Sequence, residues 1–316
     1  MPLSGLVTDF LEYLELERNA SQLTIRNYDH YLKRFLDFAN PSTSSGQGDI
    51  EPKDIDLNLI KKYRLYLSRW VNPESGKPLK RITQNYFMIA LRAFLRYLAR
   101  SDIVSLSPEK VELGENEPRP LKVLDDTQLQ QLLESPDITK KDGIRDRALL
   151  ETLFSTGLRV SELASLNRDS INLDRKEFGV VGKGGKERVV FLTDSAALWL
   201  DKYLSARRDT FRPLFIRFQG AVNPENNGEA MRLTTRSMER AIEKYVKQIG
   251  LPVKATPHTL RHSFATDLLI NGADIRSVQE MLGHSNIATT QIYTHVTNKH
   301  LKDIHKTFHS GNKGLN

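Results

Sequence analysis

A charged segment rich in proline, at residues 107–120, interrupts a chain of 316 residues whose apolar side chains otherwise recur at helical spacing. Its sequence, SPEKVELGENEPRP, contains three prolines and has almost no apolar periodicity. Such a composition is typical of a linker between domains, since it offers no apolar face to bury. We therefore predict a first domain at residues 1–107, a linker at 108–120 and a second domain at 121–316.

The first domain is predicted to be entirely helical, with four main helices. Its apolar residues recur at steps of three and four, as in an amphipathic helix. The last helix, residues 82–100, is predicted to have an apolar side formed by Tyr86, Ile89, Phe94, Leu95 and Leu98. Its other side is basic and polar, which suits contact with phosphates, although a solvated face is the more common reason for such a pattern.

The second domain is predicted to be mainly helical with one small antiparallel sheet. Alternating residues near 177–181 and 187–192 flank the glycine-rich segment 182–186, which predicts a β-hairpin. Helices are predicted at 126–133, 144–155, 194–207, 235–249, 256–271, 275–282 and 299–307. The expected fold class is therefore mainly α, with a two-stranded sheet in the second domain.

Charge and composition restrict the partners. Lys and Arg number 46 against 39 Asp and Glu, and the net charge of +7 favours polyanions such as nucleic acid. The chain has no cysteine, which excludes disulfides, cysteine-ligated zinc and thiol catalysis. We find neither a signal peptide nor an uncharged apolar run of about eighteen residues. We expect a cytoplasmic protein that does not enter a membrane.

Four local patterns in the second domain contain the residues with chemical potential. They are STGLRVSEL at 155–163, VGKGGKER at 181–188, TPHTLRH at 256–262, and LGH at 282–284 followed by Tyr293. Their order and spacing resemble the catalytic signature of the tyrosine recombinases, the lambda-integrase superfamily, and most closely that of its Xer-type members. The segment TIRNY at 24–28 is similar to the core-binding domain of that family.

This resemblance implies an enzyme that cuts and rejoins DNA at a specific site through a 3′-phosphotyrosine and a Holliday junction. It identifies Tyr293 as the nucleophile by its position in the family's motif. Neither periodicity nor the neighbouring residues distinguish Tyr293 from the other tyrosines. It also implies that the two domains form a C-shaped clamp around one duplex. Resolution of chromosome dimers is the biological setting that we expect.

The chemistry of a phosphodiester supports the resemblance. Its transition state carries negative charge on the non-bridging oxygens, which metal ions or fixed cations must stabilise. Arginine suits this task because its planar guanidinium donates paired hydrogen bonds and stays charged. We predict Arg159 and Arg261 as the two phosphate clamps. A surface salt bridge with Glu162 is the alternative for Arg159, and we expect Glu162 to orient that arginine instead.

Two histidines complete the predicted phosphate site. His258 and Arg261 lie three residues apart near the start of a predicted helix, where the helix dipole favours phosphate. His284 follows Gly283 at a predicted helix end, where a tight turn allows it to reach the same phosphate. We assign the tyrosine proton to His258 and a hydrogen bond to phosphate to His284, although the two roles are partly exchangeable. His258 and His262 lack the glutamate of a metalloprotease site, so we expect no metal.

Lys183 is predicted to protonate the 5′ oxygen that leaves when the DNA strand is cut, as the similar lysine of the family is held to do. Lys186 is the competing candidate on the same hairpin. The glycines also suggest a nucleotide-binding loop, but the spacing G-x-x-x-x-G-K-[ST] is absent. We therefore expect no cofactor, since a phosphotyrosine retains the energy of the broken bond.

The predicted helix at 299–307 is followed by Phe308, which shares one apolar face with Leu301 and Ile304. This face packs either on its own domain or, as the resemblance suggests, on the adjacent protomer of a homo-tetramer that holds two duplexes. A DNA translocase is a further partner to consider. Three alternatives remain: a phage or mobile-element integrase, a type IB topoisomerase, and a non-catalytic DNA-binding protein that retains the fold.

Overall fold

The computed structural model describes residues 2–40, 50–115, 122–182, 185–221 and 224–283. It is mainly helical, as predicted, with one antiparallel pair of strands in the described residues. The chain packs into two units, Met1–Arg119 and Pro120–Asn316. None of the described helices is long and apolar enough to cross a membrane.

The first unit contains four α-helices in its described residues. They are α1 (Leu3–Leu16), α2 (Gln22–Ala39), α3 (Leu57–Arg69) and α4 (Arg81–Arg100). Side chains cap two of them: Ser21 accepts a hydrogen bond from the Thr24 N–H before α2, and Asp56 accepts one from the Leu59 N–H before α3. Such caps satisfy amide donors that the first helical turn leaves unpaired.

Helix α4 contributes most to the core of this unit, and Phe94, Leu95 and Leu98 are buried as predicted. The prediction for Tyr86 and Ile89 is wrong, because these side chains are 47% and 36% exposed. Asn85 is buried in this part of the helix. Its amide exchanges two hydrogen bonds with the Gly114 backbone, at 2.9 and 3.0 Å. These bonds satisfy a polar group that burial would otherwise destabilise.

The first part of the segment predicted as a linker packs on the first unit. Pro108 lies in a short 3₁₀ turn, Pro108–Lys110, and is buried. Val111 is fully buried in the core that α1 to α4 form. Residues 116–121 lie outside the described residues. Because Pro108 and Val111 are buried, the described part of this segment belongs structurally to the first unit.

The second unit combines helices with the predicted hairpin. Its elements are α5 (Asp126–Glu134), α6 (Lys141–Thr156), α7 (Val160–Ser165), β1 (Glu177–Val181), β2 (Glu187–Phe191), α8 (Asp194–Ala206), the four-residue α9 (Glu225–Gly228), α10 (Thr235–Gln248), α11 (Pro257–Ile270) and α12 (Ile275–Leu282). The strands pair with Glu177 opposite Phe191 and Val181 opposite Glu187. Helix α7 was not predicted, and the predicted helix at 299–307 lies outside the described residues.

Helix α6 is the centre of the second core, where it packs against α8 and α11. Leu149 and Leu153 are fully buried on it. It ends at Gly157, which has a φ of +58° and donates its N–H to the Leu153 carbonyl. Glycine adopts this left-handed conformation at low cost and commonly ends helices for that reason. The turn directs the chain into α7, which begins immediately after Arg159.

Candidate active site

Arg159 is the residue that precedes the first turn of α7, and Glu162 orients it. The Arg159 backbone N–H donates to Glu162 Oε2 at 2.8 Å, and the Arg159 guanidinium donates to Oε1 at 2.8 Å. The Glu162 side chain is 6% exposed, whereas that of Arg159 is 29% exposed. Glu162 is therefore not part of a surface salt bridge. It is a buried acceptor for an arginine that remains partly accessible.

Arg261 is buried on α11 and bonds to the backbone of two other segments. One terminal nitrogen donates to the Gly157 carbonyl at 2.5 Å, and the other donates to the Leu282 carbonyl at 2.7 Å. Gly157 lies two residues before Arg159, and Leu282 is the last residue of α12, two residues before His284. Arg261 thus connects the chain segments that lead to two other predicted site residues.

Two glycines allow these segments to approach closely. A Cβ atom at Gly157 would lie 2.4 Å from the Phe264 ring of α11, so a larger residue has no space there. Gly283 ends α12 with a φ of +64°, and a Cβ there would lie 3.1 Å from the Arg188 side chain. The structure therefore describes the first part of the predicted tight turn, which ends at Gly283. His284 itself lies outside the described residues.

His258 occupies the second position of α11, one turn before Arg261, and its side chain is exposed. His262, one turn after His258, is partly buried. Burial lowers the pKa of His262, and the charges of His258 and Arg261 lower it further. These effects favour the neutral form of His262, whereas the His258 side chain is exposed.

Arg188 is a residue of the site for which the sequence motifs indicated no role. From strand β2 its terminal nitrogens donate to Glu162 Oε1 at 3.1 Å and Oε2 at 2.8 Å, and its Nε donates to the Met281 carbonyl at 3.0 Å. Burial would raise the pKa of Glu162, but the bonds from Arg188 and Arg159 outweigh it and lower that pKa. The carboxylate is therefore ionised between two arginines.

Known proteins resemble this chain over nearly its whole length. Residues 122–300 match the phage integrase family, and residues 7–102 match the N-terminal SAM-like domain of phage integrases. Tyrosine recombinase XerD of Listeria monocytogenes serotype 4b (strain F2365) is 37% identical over 309 residues, which cover 97% of this chain and 99% of the relative. The chain belongs to the phage integrase family as a Xer-type tyrosine recombinase.

A second relative and one solved structure are also similar to this recombinase. Tyrosine recombinase XerC of Pelotomaculum thermopropionicum (strain DSM 13744 / JCM 10971 / SI) is 36% identical over 311 residues, covering 98% of this recombinase and 99% of the relative. The crystal structure of the XerH site-specific recombinase bound to palindromic difH substrate, a post-cleavage complex, superposes with a TM-score of 0.68. It covers 95% of this recombinase and 84% of that chain at 22% identity, and it shows a shared fold.

Three of the six predicted catalytic residues lie in the described part of the recombinase: Arg159, His258 and Arg261. The other three, Lys183, His284 and Tyr293, lie outside it. The structure describes the chain on both sides of Lys183, at Gly182 and Gly185, and up to Gly283 before His284. The catalytic roles of all six residues are therefore proposals.

Proposed function

We propose that this recombinase cleaves duplex DNA at a specific site by attack of Tyr293 on a phosphodiester, and that Arg159 and Arg261 stabilise the charge that develops. The observation that supports this most is the position of Arg261. Its guanidinium binds the carbonyl of Gly157 just before Arg159 and the carbonyl of Leu282 just before His284. One guanidinium thereby holds two backbone segments that lead to predicted site residues far apart in the sequence.

The two arginines differ in the part they are suited to play. Arg159 is partly exposed and held by Glu162 from behind, so its guanidinium is available to a non-bridging phosphate oxygen. Arg261 is buried and fixes the backbone around it. Preorganised cations of this kind stabilise the transition state without reorganising during the reaction. We propose that both charges act on the same phosphate.

The remaining residues complete the proposed reaction. As the Tyr293 oxygen forms its bond to phosphorus, the tyrosine proton passes to His258, and His284 donates a hydrogen bond to a phosphate oxygen. The bond from phosphorus to the 5′ oxygen breaks, and Lys183 supplies the proton that this oxygen needs. A free 5′ hydroxyl of another strand then attacks the phosphotyrosine and reverses these steps. The bond energy is conserved throughout.

A nicked suicide duplex tests the nucleophile. The wild-type recombinase should form an adduct that resists SDS, because loss of a short strand end prevents religation. Tyr293→Phe should form none, since phenylalanine has no oxygen to attack with. Tyr86→Phe is the matched control, because Tyr86 is an exposed residue of α4 in the first unit. An adduct formed by Tyr293→Phe would show that another residue is the nucleophile.

We further propose that the enzyme acts in the cytoplasm to resolve chromosome dimers. A plasmid with two directly repeated copies of a candidate site tests this setting, because resolution yields two smaller circles. Relaxation of a plasmid without a paired site would indicate a topoisomerase instead. The same assay with and without an added DNA translocase tests that proposed partner, and full resolution without it would exclude a strict requirement.

The proposed assembly is a homo-tetramer on two duplexes, joined through the C-terminal segment. The second unit has an apolar cavity of about 220 Å³ to receive an apolar face, lined in part by Phe154, Val189, Phe191, Phe264, Leu268 and Met281. Phe191 is 55% exposed there. We propose that Leu301, Ile304 and Phe308 of the adjacent protomer cover this surface.

Paired substitutions test this assembly. Phe191→Ser in the cavity and Phe308→Ser in the C-terminal segment should each reduce tetramers on two-site DNA, measured by light scattering, and should leave binding to a single site unchanged. If Phe308→Ser leaves the tetramer intact, the segment packs on its own domain.

A further inference from the structure

We propose that Arg188 is a positioning residue for the cleavage reaction: by neutralising Glu162 it leaves the positive charge of Arg159 available to the phosphate, and it fixes the end of α12. This inference rests on the proposed function of Arg159. We infer that Arg188 acts through other residues of the site and not on the phosphate itself. Its effect is transmitted through Glu162 and the Met281 carbonyl.

The geometry shows how Arg188 joins three elements. Its side chain starts on β2, its two terminal nitrogens bond to the Glu162 carboxylate of α7, and its Nε bonds to the Met281 carbonyl of α12. The side chain is 10% exposed. Three directed donors on one planar group define a single orientation, which lysine cannot reproduce with its single nitrogen.

The charge balance explains why a second arginine is needed. Glu162 is buried and accepts four hydrogen bonds, two from Arg188 and two from Arg159. Two arginines and one carboxylate leave a net charge of +1 in the cluster. Without Arg188 the carboxylate would be balanced by Arg159 alone, and the pair would be neutral toward an approaching phosphate. The Coulomb attraction between Arg159 and a phosphate oxygen in contact with it is large, because the site is partly buried.

The contact with α12 gives Arg188 a second effect on the same site. The Met281 carbonyl that it binds lies next to Leu282, whose carbonyl binds Arg261. Gly283 packs so closely on the Arg188 side chain that a Cβ there would lie 3.1 Å from its Cδ. Two arginines from two different elements therefore hold consecutive carbonyls at the end of α12. This arrangement defines where the chain leaves the helix toward His284.

Single-turnover cleavage of the suicide duplex tests the charge role with two substitutions and their combination. Arg188→Gln should slow cleavage by about 100-fold, comparable to loss of a transition-state donor, while the Kd for DNA changes little. Adding Glu162→Gln to this variant should restore at least about tenfold of the rate, because Arg159 regains its uncompensated charge. If the double variant is as slow as Arg188→Gln or slower, the charge role is overturned.

Further variants separate this role from simple folding defects. Arg188→Lys retains the charge without the fork and should cleave at an intermediate rate; a rate as low as that of Arg188→Gln would count against the charge role. Arg208→Gln is the matched control, because Arg208 is exposed and should cleave as the wild type does. Thermal unfolding of each variant shows whether it is folded at the assay temperature.

A measurement without DNA makes the inference independent of the proposed reaction. The Glu162 carboxyl can be followed by carbon NMR in the free protein as pH is lowered. In Arg188→Gln its pKa should rise from the wild-type value, and an unchanged pKa would overturn the inference. Failure of the wild type to form an adduct would instead count against the proposed function of Tyr293.

Discussion

The two units of this recombinase differ in what they bury. Among the described residues of the first unit, Asn85 is the only buried polar residue apart from tyrosine, and the remaining core is apolar and aromatic. The second unit buries several ionisable residues together with its apolar core. They are Asp146, Glu151, Glu162, Arg207 and Arg261.

Each of these buried charges has a directed partner. Asp146 accepts a hydrogen bond from Arg145 at 2.6 Å and another from the Tyr245 hydroxyl at 2.8 Å. Arg207 donates to the carbonyls of Pro213 and Leu214. A buried charge is costly unless it is paired in this way. The first unit is therefore stabilised mainly by packing, whereas the second also depends on hydrogen bonds that hold charges in fixed positions.

The largest expected loss of stability from packing alone is in the core of the first unit. Phe94 is fully buried and its ring packs against Phe10, so Phe94→Ala should lower the free energy of unfolding by about 3–5 kcal/mol. Ile89→Ala, on the exposed side of α4, should change it by less than about 0.5 kcal/mol. The chain has two tryptophans, one per unit, so fluorescence of Trp70 in a Trp199→Phe background follows this unit alone.

A similar loss in the second unit should arise from unpaired polar groups. Arg261→Ala leaves the carbonyls of Gly157 and Leu282 without their donor, and each should cost about 1–3 kcal/mol. Fluorescence of Trp199 in a Trp70→Phe background measures this loss. Cleavage of the suicide duplex should also disappear. Unchanged stability would mean that water replaces the guanidinium and that the contrast between the two units is weaker than we describe.

The pH dependence of stability should show the contribution of Glu162. Because its pKa is lower in the folded state than its unfolded value of about 4.3, its contribution is full above that pH and is lost as pH falls through the folded-state pKa. The free energy of unfolding should therefore fall more steeply below pH 4.3 for the wild type than for Glu162→Gln, by at most about 1.4 kcal/mol per pH unit. Parallel curves in urea titrations would contradict this.

Arg159→Ala should have the smallest effect on stability of the second unit and still abolish cleavage. Glu162 keeps its two bonds from Arg188, so the free energy of unfolding should fall by about 1 kcal/mol or less. The Kd for DNA should be nearly retained, because a single phosphate contact is lost. A variant that cleaves normally would remove Arg159 from the phosphate clamp.

Local patterns predicted the elements of the fold well where the spacing of apolar residues is regular. The hairpin was predicted almost to the residue because alternation defines a strand, and α12 was predicted with its observed bounds. Helix α7 was missed because six residues are too few for a periodic pattern. Tyr86 and Ile89 were assigned to the wrong side of α4. Apolar periodicity did not indicate that the polar Asn85 is buried on this helix, because its hydrogen-bond partner, Gly114, is 29 residues away in the sequence.

The candidate site was predictable through its motifs but not through its contacts. The pairing of Arg159 with Glu162 was expected from a spacing of three residues, and the structure confirms it. Arg188 lay within a quoted motif, yet no signal indicated its role, because Glu162 is 26 residues and Met281 is 93 residues away in the sequence. Contacts of such range depend on tertiary packing, which local patterns do not encode.

Gly157, which ends α6, is a position where this recombinase should tolerate little change. At Gly157 the φ is positive and a Cβ atom would meet the Phe264 ring at 2.4 Å, so the position has room for glycine alone. In a saturation library, position 157 should therefore be among the least tolerant, and every replacement should displace the carbonyl that Arg261 binds. The exposed positions of α2 to α4 belong to the first unit and impose no such backbone requirement, so substitutions there should be tolerated more readily.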